Sequence, residues 1–322
     1  MLVDSFGRTL DYLRVSVTDR CNYRCEYCMP AEGMPKLAHA DILTYEEIEA
    51  FLRVAAAEGI RHVRLTGGEP LTRLGVVSLV EKLAAIPGLD DIALTTNGVL
   101  LPGLGEPLRA AGLKRVNIGL SSLDPEVYRR ITRGGDLQAA LLGLETAVEL
   151  FDLVKVNVVV MRGVSDDPAT FLELTRRYPV EVRFIEYMPI GPRDSGIAYV
   201  PTPELLRRLE AFGPFEPVEE GAVGRGPASN RRRIPGAPGS FATITPVSEH
   251  FCAACSRLRL TSDGHLRLCL LVRGEVDVKP ALRPRPDPEA IRELLLRCAA
   301  AKPAGIAHGT DVRGLGMSQI GG

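Results

Sequence analysis

The chain has 322 residues, 45% hydrophobic and 25% charged, with 39 Lys and Arg against 40 Asp and Glu for a formal net charge of −1. That length suits one large domain with an extension, or two domains. The charge balance excludes a protein whose main business is coating nucleic acid, because counterion release needs a clear basic excess.

No apolar run reaches the length of a bilayer span, and the first ten residues carry Asp4 and Arg8 without the apolar stretch of a secretory signal. The expected location is therefore the cytoplasm, with no membrane partner. Seven cysteines in a chain of this size do not make a disulfide framework. Clustered at short spacing in a reducing compartment, cysteines point to metal or redox chemistry.

Taken in chain order, apolar β-branched runs predict strands over 13–17, 62–65, 91–95, 115–120, 154–160 and 182–187. Helical patterns over 45–58, 75–86, 103–111, 137–150 and 168–177 separate them. Such βα units imply a parallel sheet, which a doubly wound fold and an open barrel both satisfy. The barrel is preferred because the polar motifs fall at the carboxyl ends of successive strands, where barrel enzymes build their sites. These motifs are Thr66-Gly67-Gly68-Glu69-Pro70, Thr95-Thr96-Asn97-Gly98, Ser121-Ser122 and Met188-Pro189.

After Gly191 the chain becomes rich in Gly and Pro, with helical stretches over 203–211 and 288–301. Residues 1–190 are expected to form the barrel, and 191–322 a connecting region with a smaller C-terminal domain. Arg231-Arg232-Arg233 reads first as a solvated loop, with a small-anion site as the alternative.

Two cysteine triplets carry the chemistry. Cys21, Cys25 and Cys28 form C-x3-C-x2-C directly after the first strand. Three thiolates on one loop can hold three irons of a cubane and leave the fourth open to a small chelating ligand. Zinc, the alternative, normally takes four protein ligands. Tyr27 lies inside this triplet, and the second strand delivers Gly67-Gly68-Glu69-Pro70. There glycines allow close backbone approach, and Glu69 could hold the ammonium of an amino acid ligand. Cys252, Cys255 and Cys269 form C-x2-C-x13-C. That spacing alone suggests an incomplete zinc ribbon; beside the first triplet, a second open-site cluster reads better. Cys298 belongs to neither triplet and is expected to be a core thiol.

The triplet with its aromatic and the Gly-Gly-Glu-Pro motif resembles the radical S-adenosylmethionine (SAM) signature. Over nearly its whole length the chain further resembles the GTP 3′,8-cyclase family of molybdenum cofactor biosynthesis. The resemblance is carried by 13–21 leading into the first triplet, Thr66–Leu71, Thr95–Gly98, Phe184-Ile185-Glu186-Tyr187-Met188, Phe251 through Arg259 and the terminal Gly321-Gly322.

The resemblance implies a partial (β/α)6 TIM-like barrel with a cluster-binding C-terminal domain, two [4Fe–4S] clusters on the six cysteines, SAM as cofactor and GTP as substrate. It implies SAM contacts at Tyr27, Gly68, Gly119 and Met188. GTP contacts would come from Arg14, Arg64, Thr95, Lys155, Arg183, Arg257 and Arg259, and Arg14, Lys155, Gly321 and Gly322 would bear on catalysis. It also implies a homodimer, a low-potential electron donor and a downstream pterin-forming enzyme. GTP brings about four negative charges, which forked guanidinium groups match. Two apart on a strand, Arg257 and Arg259 would share a face.

The chain departs from the family's pattern at Gly119 and Ser121, where a SAM-bonding serine and an aspartate are usual. A radical SAM enzyme acting on a peptide is the competing reading, and a nucleic-acid-binding regulator a remote one.

Overall fold

The first strand, β1 (Tyr12–Ser16), shows how this sheet is built. Leu13 and Val15 are fully buried in one apolar cluster with the helices, while Tyr12, Arg14 and Ser16 alternate with them onto the opposite face. The same alternation recurs strand after strand, so the sheet has an apolar outer face for helices and a polar inner one.

The structure is a computed structural model that describes residues 1–188, 190, 196–219, 227–272, 274–306 and 317. After β1 come β2 (His62–Thr66), β3 (Asp91–Thr96), β4 (Arg115–Gly119), β5 (Leu153–Val160) and β6 (Val180–Glu186). The C-terminal region adds β7 (Glu216–Pro217), β8 (Ser229–Arg233), β9 (Ser240–Ile244), β10 (Arg257–Leu260), β11 (His265–Arg267) and β12 (Glu275–Asp277). The helices are α1 (Tyr45–Ala57), α2 (Val76–Ala84), α3 (Leu101–Ala110), α4 (Pro125–Thr132), α5 (Leu137–Leu150), α6 (Ala169–Arg177), α7 (Thr202–Glu210), α8 (Lys279–Leu282) and α9 (Pro288–Ala300).

Local signals explain where helices begin. Thr44 and Glu47 form a reciprocal capping box before α1. Asp124 caps α4 ahead of Pro125, and Asp287 caps α9 ahead of Pro288. On α1, Ile48, Phe51, Leu52, Ala55 and Ala56 form the buried stripe at helical spacing. Burying a side chain such as Phe51 contributes about 1.5–3 kcal/mol.

The six expected strands are present and mutually parallel. The C-terminal region does more than cap them. β9 pairs parallel with β6 and β10 pairs parallel with β1, giving one 12-stranded sheet in the order β12-β11-β10-β1-β2-β3-β4-β5-β6-β9-β8-β7. Two expectations need correction. Helix α4 was not foreseen, and Arg231–Arg233 is strand rather than solvated loop, the Arg231 side chain being 6% exposed against Glu181. No helix among the described residues is long and apolar enough to cross a membrane.

Candidate active site

Register brings the predicted basic residues onto one inner surface. Arg14 on β1 stands opposite Arg64 on β2 and Arg259 on β10. Asn117 on β4 stands opposite Lys155 on β5, and Asn157 opposite Arg183 on β6. Neighbours in register share a face, so Arg14, Arg64, Arg259, Lys155 and Arg183 all line the lumen. Arg257 faces the same side two residues from Arg259 and rests over the Phe251 ring at 4.8 Å. Thr95 on β3 is opposite Asn117.

These charges are buried and crowded. Burial, then Arg259, lowers the Arg14 pKa well below its usual value, and burial, then Arg257, brings Arg259 down to about 10. Burial and then Arg183 lower Lys155 to about 6, although Glu181 Oε1 lies 3.9 Å away. Glu181 also pairs with Arg183, and with Arg231 at 3.1 Å. Several buried polar atoms have no hydrogen-bond partner among the described residues: Arg64 Nη1, Arg183 Nη2, Arg267 Nε and Nη2, Thr95 Oγ1, Asn117 Oδ1 and Asn157 Oδ1. Buried polar groups are normally satisfied. A lumen with guanidinium N–H groups and amide oxygens left over suits a polar, polyanionic ligand.

Sequence reasoning missed three members of this surface. Tyr12 accepts a hydrogen bond from Arg64 Nε, Arg115 pairs with Asp91, and Glu181 holds three cations. Tyr12 and Glu181 each lie two residues from one that was recognised, Arg14 and Arg183.

The first triplet sits on the loop after β1. Cys28 N–H donates to the Cys25 carbonyl at 2.9 Å, closing a turn, and Tyr23 N–H reaches Cys21 Sγ at 3.3 Å. Helix α4 straps the loop through Arg24 N–H to Thr132 and Glu26 N–H to Ile131. Gly68 donates to the Thr18 carbonyl at 2.8 Å, and a Cβ there would lie 2.2 Å from the Arg20 carbonyl oxygen. Its lack of a side chain therefore lets the β2 end dock the cysteine loop.

Glu69, expected to hold a ligand's ammonium, also ties the chain to itself. Its buried carboxylate accepts from Leu71 N–H, Thr96 Oγ1 and Asn97 N–H, tying the ends of β2 and β3 together. Burial nevertheless raises it to about 7.

Tyr27 is half-buried, with burial, then Cys25, raising its hydroxyl pKa and Ser121 opposing. At Gly119 a Cβ would meet only the Thr96 carbonyl oxygen, at 3.9 Å. Met188, Leu270, Leu271 and Met317 pack against Ile190. Met317 N–H donates to the Cys28 carbonyl at 3.2 Å. Gly321 and Gly322 lie outside the described residues.

In the second triplet Cys255 N–H donates to the Cys252 carbonyl at 3.1 Å, while Cys269 follows β11. All six cysteines are half-buried and none forms a disulfide, whereas Cys298 is buried in α9 as a core thiol. Among the described residues no three His, Cys, Asp or Glu side chains gather as a single-ion site. The thiol sets fit iron–sulfur ligation through donor chemistry and their matching C-x2-C turns.

The radical SAM superfamily description matches residues 15–175, and the molybdenum cofactor synthesis C-terminal description matches 180–308. The GTP 3′,8-cyclase of Moorella thermoacetica is 49% identical over 323 residues, covering 99% of each chain. That of Geobacter sulfurreducens is 47% identical over 100% of this chain and 99% of its own. Among solved structures, Streptococcus suis SuiB bound to S-adenosylmethionine superposes with a TM-score of 0.64 at 14% identity, over 94% of this chain and 77% of SuiB, a likeness of fold. At this identity and coverage the chain belongs to the GTP 3′,8-cyclase family of the radical SAM superfamily.

Proposed function

We propose that this chain is a GTP 3′,8-cyclase, converting GTP to 3′,8-cyclo-7,8-dihydro-GTP at the start of molybdenum cofactor biosynthesis. The lumen's buried guanidinium groups, some with N–H donors that have no partner among the described residues, together with Thr95, Asn117 and Asn157 oxygens in the same state, carry the reading. Cys21, Cys25 and Cys28 would hold one [4Fe–4S] cluster and Cys252, Cys255 and Cys269 a second. With SAM, the first supplies a 5′-deoxyadenosyl radical able to remove the ribose 3′ hydrogen.

The chain's own residues bind and orient. Arg14, Arg64, Lys155 and Arg183 neutralise the triphosphate, Thr95 offers a hydroxyl, and Arg257 and Arg259 hold the nucleotide beside the second triplet. Charge-assisted bonds in a buried lumen fix the ribose for attack on guanine C8. Tyr27, Gly68, Gly119 and Met188 border the SAM side. Met317 at Cys28 supports a tail in which Gly321 and Gly322 reach the nucleotide. A low-potential electron donor, a downstream pterin-forming enzyme and a homodimer complete the proposal.

Chain-long identity to cyclases favours this over a peptide substrate, since SuiB shares the fold alone. Reconstituted protein incubated anaerobically with SAM, reductant and GTP should yield 5′-deoxyadenosine and a cyclised nucleotide of unchanged mass. SAM cleavage without any cyclised nucleotide would overturn the assignment.

A further inference from the structure

Two cations, one buried and one half-buried, grip the backbone of the second triplet. Lys302, just beyond α9, is 3% exposed and donates from Nζ to the Arg257 carbonyl at 2.7 Å and the Leu268 carbonyl at 2.6 Å. Arg257 lies two residues after Cys255, and Leu268 immediately precedes Cys269. The carbonyl of Cys252 itself accepts from Arg8 Nη1 at 2.7 Å. The same guanidinium reaches the carbonyls of Pro303 at 2.6 Å and Ala304 at 2.9 Å, and Asp4 holds its Nε at 2.6 Å. A Cβ on Gly305 would stand 3.6 Å from Cys252 Sγ. Each ligand-bearing stretch of the triplet thus has one carbonyl anchored, and 302–305 lies against it.

We propose that Lys302 is a positioning residue for a cluster at Cys252, Cys255 and Cys269, fixing the spacing of two ligand-bearing stretches and holding a positive charge beside their thiolates. The inference rests on the two-cluster reading. A bare structural anchor would fix the chain end equally well with an uncharged donor. A charge beside the thiolates acts differently, because reduction adds a negative charge that a nearby ammonium stabilises, raising the potential.

The test uses full-length reconstituted protein, with Lys302→Met removing charge and donors and Lys302→Gln keeping a donor without charge. Iron content and redox titrations followed by electron paramagnetic resonance read each cluster separately. Wild type must first display two cluster signals; a single one would end the two-cluster reading itself. Given two, both variants should leave the first cluster unchanged. The second should become harder to reduce, by about tenfold in the reduced-to-oxidised ratio at fixed poise, or about 59 mV for a one-electron couple. Selective loss of the second cluster would also support the role. Two clusters at wild-type potentials, or loss of both together, would overturn it.

Discussion

Lys155 should take up a proton when GTP binds. Its ammonium is 1% exposed, and burial together with Arg183 holds its pKa at about 6 in the ligand-free protein. At pH 8 only about 1% of molecules then carry the charge, and creating it costs about 3 kcal/mol at 1.36 kcal/mol per pK unit. A bound triphosphate reverses the local field and restores the charged form. Isothermal titration of GTP at pH 8, where the phosphates are fully ionised, in buffers of different ionisation heat should reveal close to one proton taken up per nucleotide. Affinity should fall about tenfold per pH unit between pH 7 and 9. Lys155→Met should abolish both effects.

The sign carries over to stability. Because the folded pKa lies below the unfolded value of 10.5, the unfolded chain binds more protons between about pH 6 and 10.5. The ligand-free protein therefore loses stability through this group as pH falls across that window, while saturating GTP offsets the loss. Binding at pH 8 without proton uptake, or uptake that persists in Lys155→Met, would refute the reasoning.

Arg257→Ala and Arg259→Ala should each weaken GTP binding by about 1.5–3 kcal/mol, the scale of a charge-assisted hydrogen bond, with SAM binding little changed in equilibrium dialysis. Space beyond Gly119 admits a side chain, so Gly119→Ser should gain about 0.5–1.5 kcal/mol of SAM affinity; weaker binding would mean that another group already fills that place. Replacing Cys252, Cys255 and Cys269 together by Ala should halve the iron while SAM cleavage persists, whereas stoichiometric zinc in wild type would contradict the cluster assignment. Deleting Gly321 and Gly322 should leave iron content and SAM binding intact yet suppress the cyclised nucleotide, and an unchanged rate would make the tail dispensable.

The parallel strands were legible because each buries an apolar face against helices, leaving runs such as Val156–Val160 plain in the sequence. The motifs at their carboxyl ends followed from that. Helix α4 carried readable signals, Asp124 with Pro125 at its start and Gly134 just past its end, but its eight residues make little more than two turns, a short window in which to recognise a helical repeat. β9 and β10 were harder. Each is short, β9 follows a Gly- and Pro-rich stretch, and each pairs with a strand far away in sequence: Arg259 meets Arg14 across 245 positions of chain.

The arginines could be named from a resemblance, but Glu181 could not. Its role depends on Lys155, Arg183 and Arg231 converging from three strands, which only the strand order and register decide. Lys302 was invisible for the same reason, since its partners are backbone carbonyls, and carbonyls leave no trace in composition or spacing.

The central claim is that this lumen delivers the ribose 3′ hydrogen of GTP to the SAM-derived radical. GTP deuterated at C3′ tests it most directly, through the isotopic mass of the 5′-deoxyadenosine formed in a single anaerobic turnover. The account predicts one deuterium transferred to 5′-deoxyadenosine, with a cyclised nucleotide that has lost it from C3′. Unlabelled 5′-deoxyadenosine alongside nucleotide that keeps its label would contradict it.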